Sequence, residues 1–268
     1  MNAKELYQAG DLTGAIAAAA EEVKRRPTDP SPRGFLAELL CFAGELERAD
    51  THLDVLVQQD IELAVGIAVF RQLIRAEQAR RQFFSDGRLP EFLQPPSDRL
   101  RYHLEASIRL REGHEEEAAA MLDDAEQKRP AVAGVCDGQP LDDFRDIDDL
   151  LASLFEVYTT TGKYYWVPIE HVELIEFRPP QRPRDLLWRP AHMIVRDGPD
   201  GEVFLPVIYP PAPGDADDRI RLGRMTDWRG GEKAPVRGRG QRMFVVGQED
   251  RSILELGTIT FNHPESGQ

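Results

Sequence analysis

A chain of 268 residues is long enough for one large domain or two modest ones, each with its own core. Its 41% hydrophobic and 30% charged residues are those of a soluble globular protein, and no run of 18 apolar residues offers a membrane span. The net charge of −14 disfavours contact with a nucleic-acid backbone and favours a protein partner with a basic or amphipathic segment.

The acidity is uneven. Residues 1–136 carry 24 acids and 17 bases, 137–161 carry seven and one, and 162–268 carry 16 and 15. The opening Met1-Asn2-Ala3-Lys4-Glu5-Leu6 lacks the charged-then-apolar pattern of a signal peptide, so a cytoplasmic location is expected. Cys41 and Cys136 form no CxxC pair and read as small buried hydrophobes.

In chain order, an internal repeat comes first. Leu6-Tyr7-Gln8-Ala9-Gly10-Asp11-Leu12 through Ala15 recurs 34 residues later as Leu40-Cys41-Phe42-Ala43-Gly44-Glu45-Leu46 through Ala49, and more loosely from Leu110 to Ala118. Gly10, Gly44 and Gly113 stand where a helix ends in a turn that needs positive φ. Ala15, Ala49 and Ala118 follow five residues later, where a small side chain lets paired helices approach, and Pro27 and Pro130 close second helices. Period and pattern are those of a tetratricopeptide-like array. Helices are expected near 2–9, 12–25, 32–43, 46–58, 62–84, 98–112 and 115–128, the fifth being longer or displaced because it breaks the period.

Residues 137–161 read as an acidic connector with a short helix over about 148–158, where Leu150, Leu151, Leu154, Phe155 and Tyr158 keep helical spacing. Asp146, Asp148 and Asp149 suit its positive end. Strands are expected near 163–168, 172–178, 191–196, 202–209, 241–247 and 252–261, with Asp200-Gly201 as a hairpin signal. The last residues, His263 to Gln268, are expected to fray. The fold class is therefore α+β: a tetratricopeptide-like α-α superhelix over 1–136, the connector, and a β-rich, mostly antiparallel domain over 162–268.

No catalytic constellation emerges. The acidic cluster Asp137, Asp142, Asp143, Asp146, Asp148, Asp149 lacks the glycine and terminal glutamate of an EF-hand loop and reads as capping residues in a solvated connector. The six histidines are scattered, with no metal-ligand spacing, and no GxSxG elbow, GxGxxG or GxxxxGK[ST] loop is present. Neither a metal nor a cofactor is expected. Two alternatives stay open: an enzyme site between the domains using Asp137, Asp146 or Asp185 with Arg242, and a nucleic-acid module in 219–242, where eight bases surround Trp228.

The repeats favour a peptide- or helix-binding surface on the first helix of each pair. Its candidate residues are Glu5, Gln8, Phe35, Glu38, Leu39 and Phe42. Phe35, Leu39 and Phe42 also fit an inter-helix core, which leaves Glu5 and Glu38 as the better groove positions.

One series of motifs runs through the rest of the chain: Asp137-Gly138-Gln139-Pro140-Leu141, Asp146-Ile147-Asp148-Asp149, Gly162-Lys163-Tyr164-Tyr165-Trp166-Val167-Pro168, Arg184-Asp185-Leu186-Leu187-Trp188-Arg189-Pro190-Ala191, Leu205-Pro206, Tyr209-Pro210, Arg224-Met225-Thr226-Asp227-Trp228 and Gly240-Gln241-Arg242. In this order and spacing it resembles the ImpE/TagJ (SciE-type) family of type VI secretion accessory proteins. The resemblance implies a non-enzymatic adaptor that binds the N-terminal helix of the small contractile-sheath subunit and is linked to the AAA+ ATPase that recycles the sheath. Tyr164, Tyr165, Trp166, Arg184, Asp185, Trp188, Trp228, Gln241 and Arg242 carry over as family-motif positions. No nucleic-acid or membrane partner is implied.

Overall fold

The computed structural model describes residues 1–210 and 217–262, with only the backbone at Ile61. The expected fraying of 263–268 lies outside the described residues. Helices come first: α1 (Ala3–Ala9), α2 (Leu12–Arg25), α3 (Pro30–Ala43), α4 (Leu46–Gln59), α5 (Ala64–Asp86), α6 (Asp98–Arg111) and α7 (Glu115–Gln127). A 3-10 turn, Ile61–Leu63, leads into α5.

Their ends follow local chemistry. Asn2 and Glu5 form a reciprocal capping box on α1, Asp29 caps α3 ahead of Pro30, and Ser97 caps α6. Gly10, Gly44 and Gly113 take φ of +88°, +81° and +79°, as the repeat pattern requires. Ala15, Ala49 and Ala118 have no exposed surface, and successive helices from α1 to α4, then α6 with α7, pack as antiparallel neighbours. The long α5 is indeed displaced from that regularity. It packs against the sheet as well as against α4 and α6.

The strands are β1 (Gly134–Cys136), β2 (Gln139–Leu141), β3 (Phe144–Asp146), β4 (Leu154–Thr159), β5 (Tyr164–Pro168), β6 (Val172–Phe177), β7 (Trp188–Val195), β8 (Asp200–Pro206), β9 (Thr226–Gly231), β10 (Ala234–Gly240), β11 (Met243–Val246), β12 (Glu249–Ser252) and β13 (Thr258–Phe261). A short helix, α8 (Asp218–Arg221), precedes β9. Eight strands form one antiparallel sheet in the order β2-β1-β13-β6-β7-β8-β4-β5. β12-β11-β3 and β10-β9 form two smaller ones. The β5 edge is covered by the proline-rich segment after α5: the Glu91 N–H donates to Tyr164 O at 2.8 Å and Glu91 O accepts from the Trp166 N–H at 3.1 Å.

Several expectations need correction. The short helix at 148–158 is a turn followed by β4. Leu154 to Tyr158 are buried on both faces of the sheet, and such a strand presents a continuous apolar run that periodicity cannot tell from a helix. The solvated connector is likewise overturned, because Asp146 and Asp148 have no exposed surface. The hairpin between β7 and β8 exists, but its turn falls on residues 196–199, with Asp197 at φ +52°, while Asp200 pairs with Ile194 inside the ladder. The expected strand 252–261 is the end of β12 and then β13, separated by a turn. The basic segment 219–242, for which the sequence pattern predicts no element before 241, holds most of α8 and the β9–β10 hairpin.

One apolar core joins the two halves. Leu36, Leu39, Phe70, Leu73 and Phe83 of the helices cluster with Leu154, Tyr158, Tyr164, Trp166 and Trp188 of the sheet. The other sheet face closes over a second core that includes Phe144, Phe155, Phe244 and Phe261. Tyr165 leans on this second core while its neighbours Tyr164 and Trp166 face the first, the alternation a strand imposes. Because the helical core is completed by the sheet, helix content followed by circular dichroism and fluorescence of Trp166, Trp188 and Trp228 are expected to report coincident urea transitions. Two separated transitions would show the helical and β-rich parts to be independent units.

Candidate functional site

Where α5 meets the sheet, charged side chains take positions that the surrounding pattern would assign to hydrophobes. Glu77 and Arg80 lie on the face of α5 that also carries Ile74 and Phe83, and Glu156 lies in the middle of β4. Arg80 donates through Nε and Nη2 to the two oxygens of Glu156 at 2.8 and 2.7 Å, and through Nη2 to Ile208 O at 3.1 Å. From the other side Arg242 reaches Glu156 at 3.3 Å and Asp146 at 2.6 Å.

Hydroxyl and indole groups satisfy the remaining lone pairs. Tyr164 donates to Glu156 at 2.6 Å, Trp166 Nε1 to the Tyr164 oxygen at 2.6 Å, Tyr158 to Glu77 at 2.6 Å, Trp188 Nε1 to Glu77 at 3.3 Å, and Tyr209 to Asp146 at 2.7 Å. Burial opposes the charge of Glu156, yet Arg80, Arg242 and Tyr164 outweigh it and hold the carboxyl below its usual range. Glu77 is held down in the same way, against burial, by Arg81 and Arg80. Asp146 differs: burial pushes its carboxyl up, with Arg242 partly offsetting the rise.

Tyr164, Trp166, Trp188 and Arg242 of the motif series therefore belong to one buried network that fastens helix to sheet. Asp185 accepts from the Gln181 and Arg182 N–H groups, and Gln241 bonds through its backbone to Met225 and Thr226. Trp228 is 38% exposed and meets Tyr209 edge-on. Sequence reasoning missed Glu77, Arg80 and Glu156. The available signal was a charge at core spacing inside an apolar run.

The residues of the enzyme alternative do not converge. Asp146 and Arg242 meet, but Asp137 pairs with Arg251 and the Thr258 N–H, and Asp185 caps its own turn. No group of three or more potential metal ligands forms among the described residues. The bases of 219–242 are engaged as well: Arg219 with Asp217, Arg221 with Asp218, Arg224 with the Tyr7 and Gln8 carbonyls, Lys233 with Glu116, Arg237 with Asp148, and Arg239 with Asp227.

The candidate groove residues are dispersed. Glu5 is consumed by the α1 capping box, Gln8 is exposed, and Leu39 is core. Phe35 and Phe42 pack against Tyr7, which itself lies under the Arg224 guanidinium. Glu38 alone of the set lines an open depression of about 390 Å³ between α3, α4, the start of α5 and the loop at 182–184. Its floor is apolar, from Leu53, Leu56, Ile67 and Phe70, and Arg184 lies over the Phe70 ring at 4.7 Å. Leu63, which also lines it, is 37% exposed. Burial pushes the Glu38 carboxyl up to about 7, with Arg184 partly offsetting the rise.

A family model described as ImpE protein matches residues 138–260. The type VI secretion system accessory component TagJ of Pseudomonas aeruginosa is 31% identical over 261 residues, covering 97% of this chain and 91% of that protein. The crystal structure of protein VPA1032 from Vibrio parahaemolyticus superposes with a TM-score of 0.91 at 26% identity over 98% of both chains. No helix of the described residues is long and apolar enough to cross a membrane.

Arg242→Met would leave Asp146 buried without its counter-charge, and an expected loss of about 3–5 kcal/mol would be read from urea unfolding. For Glu38 the folded pKa lies above the unfolded one, so the folded state holds the extra proton between about pH 4.5 and 7. Wild-type stability therefore falls relative to Glu38→Gln as pH rises through that window. The variant is expected to be the more stable above pH 7, with the difference gone near pH 4.5, in melting temperatures measured across pH.

Proposed function

The chain belongs to the ImpE/TagJ family of type VI secretion accessory proteins, and on that premise we propose that it is a non-enzymatic, cytoplasmic adaptor whose open groove receives an amphipathic helix. The observation that carries this reading is the depression beside α3, α4 and α5. An apolar floor there continues into half-exposed Leu63, and charges of both signs, Glu38, Glu62, Arg182 and Arg184, stand around it. A helix presenting apolar residues three and four apart would cover the floor, while its polar flank met the charged rim. Each Val- or Leu-sized side chain so buried contributes about 1.5–3 kcal/mol, enough for micromolar binding from a few anchors.

The occupant we propose is the N-terminal helix of the small sheath subunit. Holding that helix would present the sheath to the AAA+ ATPase that recycles it. The net charge of −14 favours a partner helix with basic flanks.

Calorimetric titration with a synthetic peptide of that helix tests the reading. Leu63→Asp and Glu38→Lys are each expected to weaken binding about tenfold or more, since one removes an exposed apolar lining residue and the other puts a cation where a carboxyl stood. Glu5→Lys is expected to leave affinity unchanged, because Glu5 is spent on its capping box. Binding that ignores Leu63→Asp and Glu38→Lys would move the site elsewhere, and no binding would remove the helix as the partner.

A further inference from the structure

A second cleft, of about 380 Å³, opens at the seam between the end of α3, the middle of α5, and the segments around Ile208, Ile220 and Gly240. It shares no lining residue with the groove above. One wall is apolar, from Phe42, Leu187, Ile208 and Ile220. The other gathers three guanidinium groups, Arg80, Arg81 and Arg221, against the single carboxylate Glu77.

The arginines are fixed in place from behind. Arg81 donates through Nη1 to Gly44 O at 3.1 Å and Arg221 through Nη2 to Ala43 O at 3.3 Å, so both are drawn to the negative end of α3. Arg81 Nε holds Glu77, Arg221 Nη1 holds Asp218, and Arg80 is anchored by Glu156. Each still has a nitrogen with no hydrogen-bond acceptor among the described residues: Nη1 of Arg80, Nη2 of Arg81 and Nε of Arg221. The nearest carboxylate oxygen to Arg80 Nη1 is that of Glu77, at 3.9 Å. That carboxylate is already taken by Arg81, Tyr158 and Trp188. Arg80 is only 2% exposed, yet none of these three nitrogens is among the fully buried unpartnered atoms, so each keeps some accessible surface on a side chain that lines the cleft.

Preplaced guanidinium donors beside an apolar wall match a planar carboxylate carried on a short apolar body. We propose that this cleft binds such a carboxylate, supplied by the C-terminal residue of a peptide or by a free small acid of the same chemistry. The carboxylate would bridge the spare nitrogens of Arg81 and Arg221, with Arg80 at the floor, and the side chain would lie against Phe42, Leu187 and Ile220.

The test is calorimetry on the full chain with four probes: N-acetyl-L-leucine, its amide, and Ala-Ala-Ala-Leu with a free or an amidated C-terminus. The acids are expected to bind, and the amides at least tenfold more weakly, the loss of about one charge-assisted hydrogen bond. Arg221→Gln and Arg81→Gln should each weaken the acids about tenfold, with unchanged circular dichroism. Arg221→Gln guards against misreading Arg81→Gln, which also removes a partner of Glu77. Leu63→Asp, in the groove, should leave acid binding intact, which separates this cleft from the helix site. Binding of the peptide acid alone would name a protein C-terminus as the source, and binding of both acids would show that a free carboxylate suffices. Equal binding of acids and amides, indifference to both arginine substitutions, or no binding would overturn the proposal.

Discussion

Glu156 sits with no exposed surface between Arg80 of the long helix α5 and Arg242 at the start of β11, in a network that also takes in Asp146, Glu77 and the hydroxyls of Tyr158, Tyr164 and Tyr209. Burying these charges is costly, and an all-apolar interface would be at least as stable. What the network supplies is uniqueness. Apolar surfaces slide against each other at little cost, whereas a misplaced helix would strand a charge in a dry interior. The polar seam thus selects one angle between α5 and the sheet, and everything built across that seam inherits its precision.

The angle decides which surfaces remain open. First helices of tetratricopeptide-like pairs commonly line a binding face, but here the chain's own later segments cover much of it. Arg224 lies over Tyr7, Asp218 accepts from the backbone N–H groups of Leu12 and Thr13 at the start of α2, and Arg221 reaches the last turn of α3. Where α4 gives way to the displaced α5 an open depression remains over Leu53, Leu56, Ile67 and Phe70, with Glu38 and Arg184 also lining it. The break in the repeat period and the open groove are one event in the fold.

The motif series divides by the same geometry. Its aromatic and arginine members at Tyr164, Trp166, Trp188 and Arg242 are internal, and their role is to join the halves. The acids at Asp146, Asp148 and Asp149 stitch the turn before β4 to β10 and β11: Asp148 takes Arg237 and the Gly238 N–H, and Asp149 takes the Val236 N–H. A stretch dense in aspartate is here an interior joint. Trp228 differs in keeping much of its surface exposed.

By itself the sequence determined the elements whose signals are local. The helices end where Gly10, Gly44 and Gly113 can adopt positive φ, the paired helices close over Ala15, Ala49 and Ala118, and Tyr165 faces away from Tyr164 and Trp166 because strand geometry has a period of two. Only the tertiary structure decided whether Leu154 to Tyr158 would be helix or strand, since a run buried on both sides carries no usable period. It also decided which charges would be internal. Glu156 meets Arg80 and Arg242 from 76 and 86 residues away. No local pattern records such a pairing, because the energy that makes a buried charge tolerable comes entirely from partners that the chain brings together by folding.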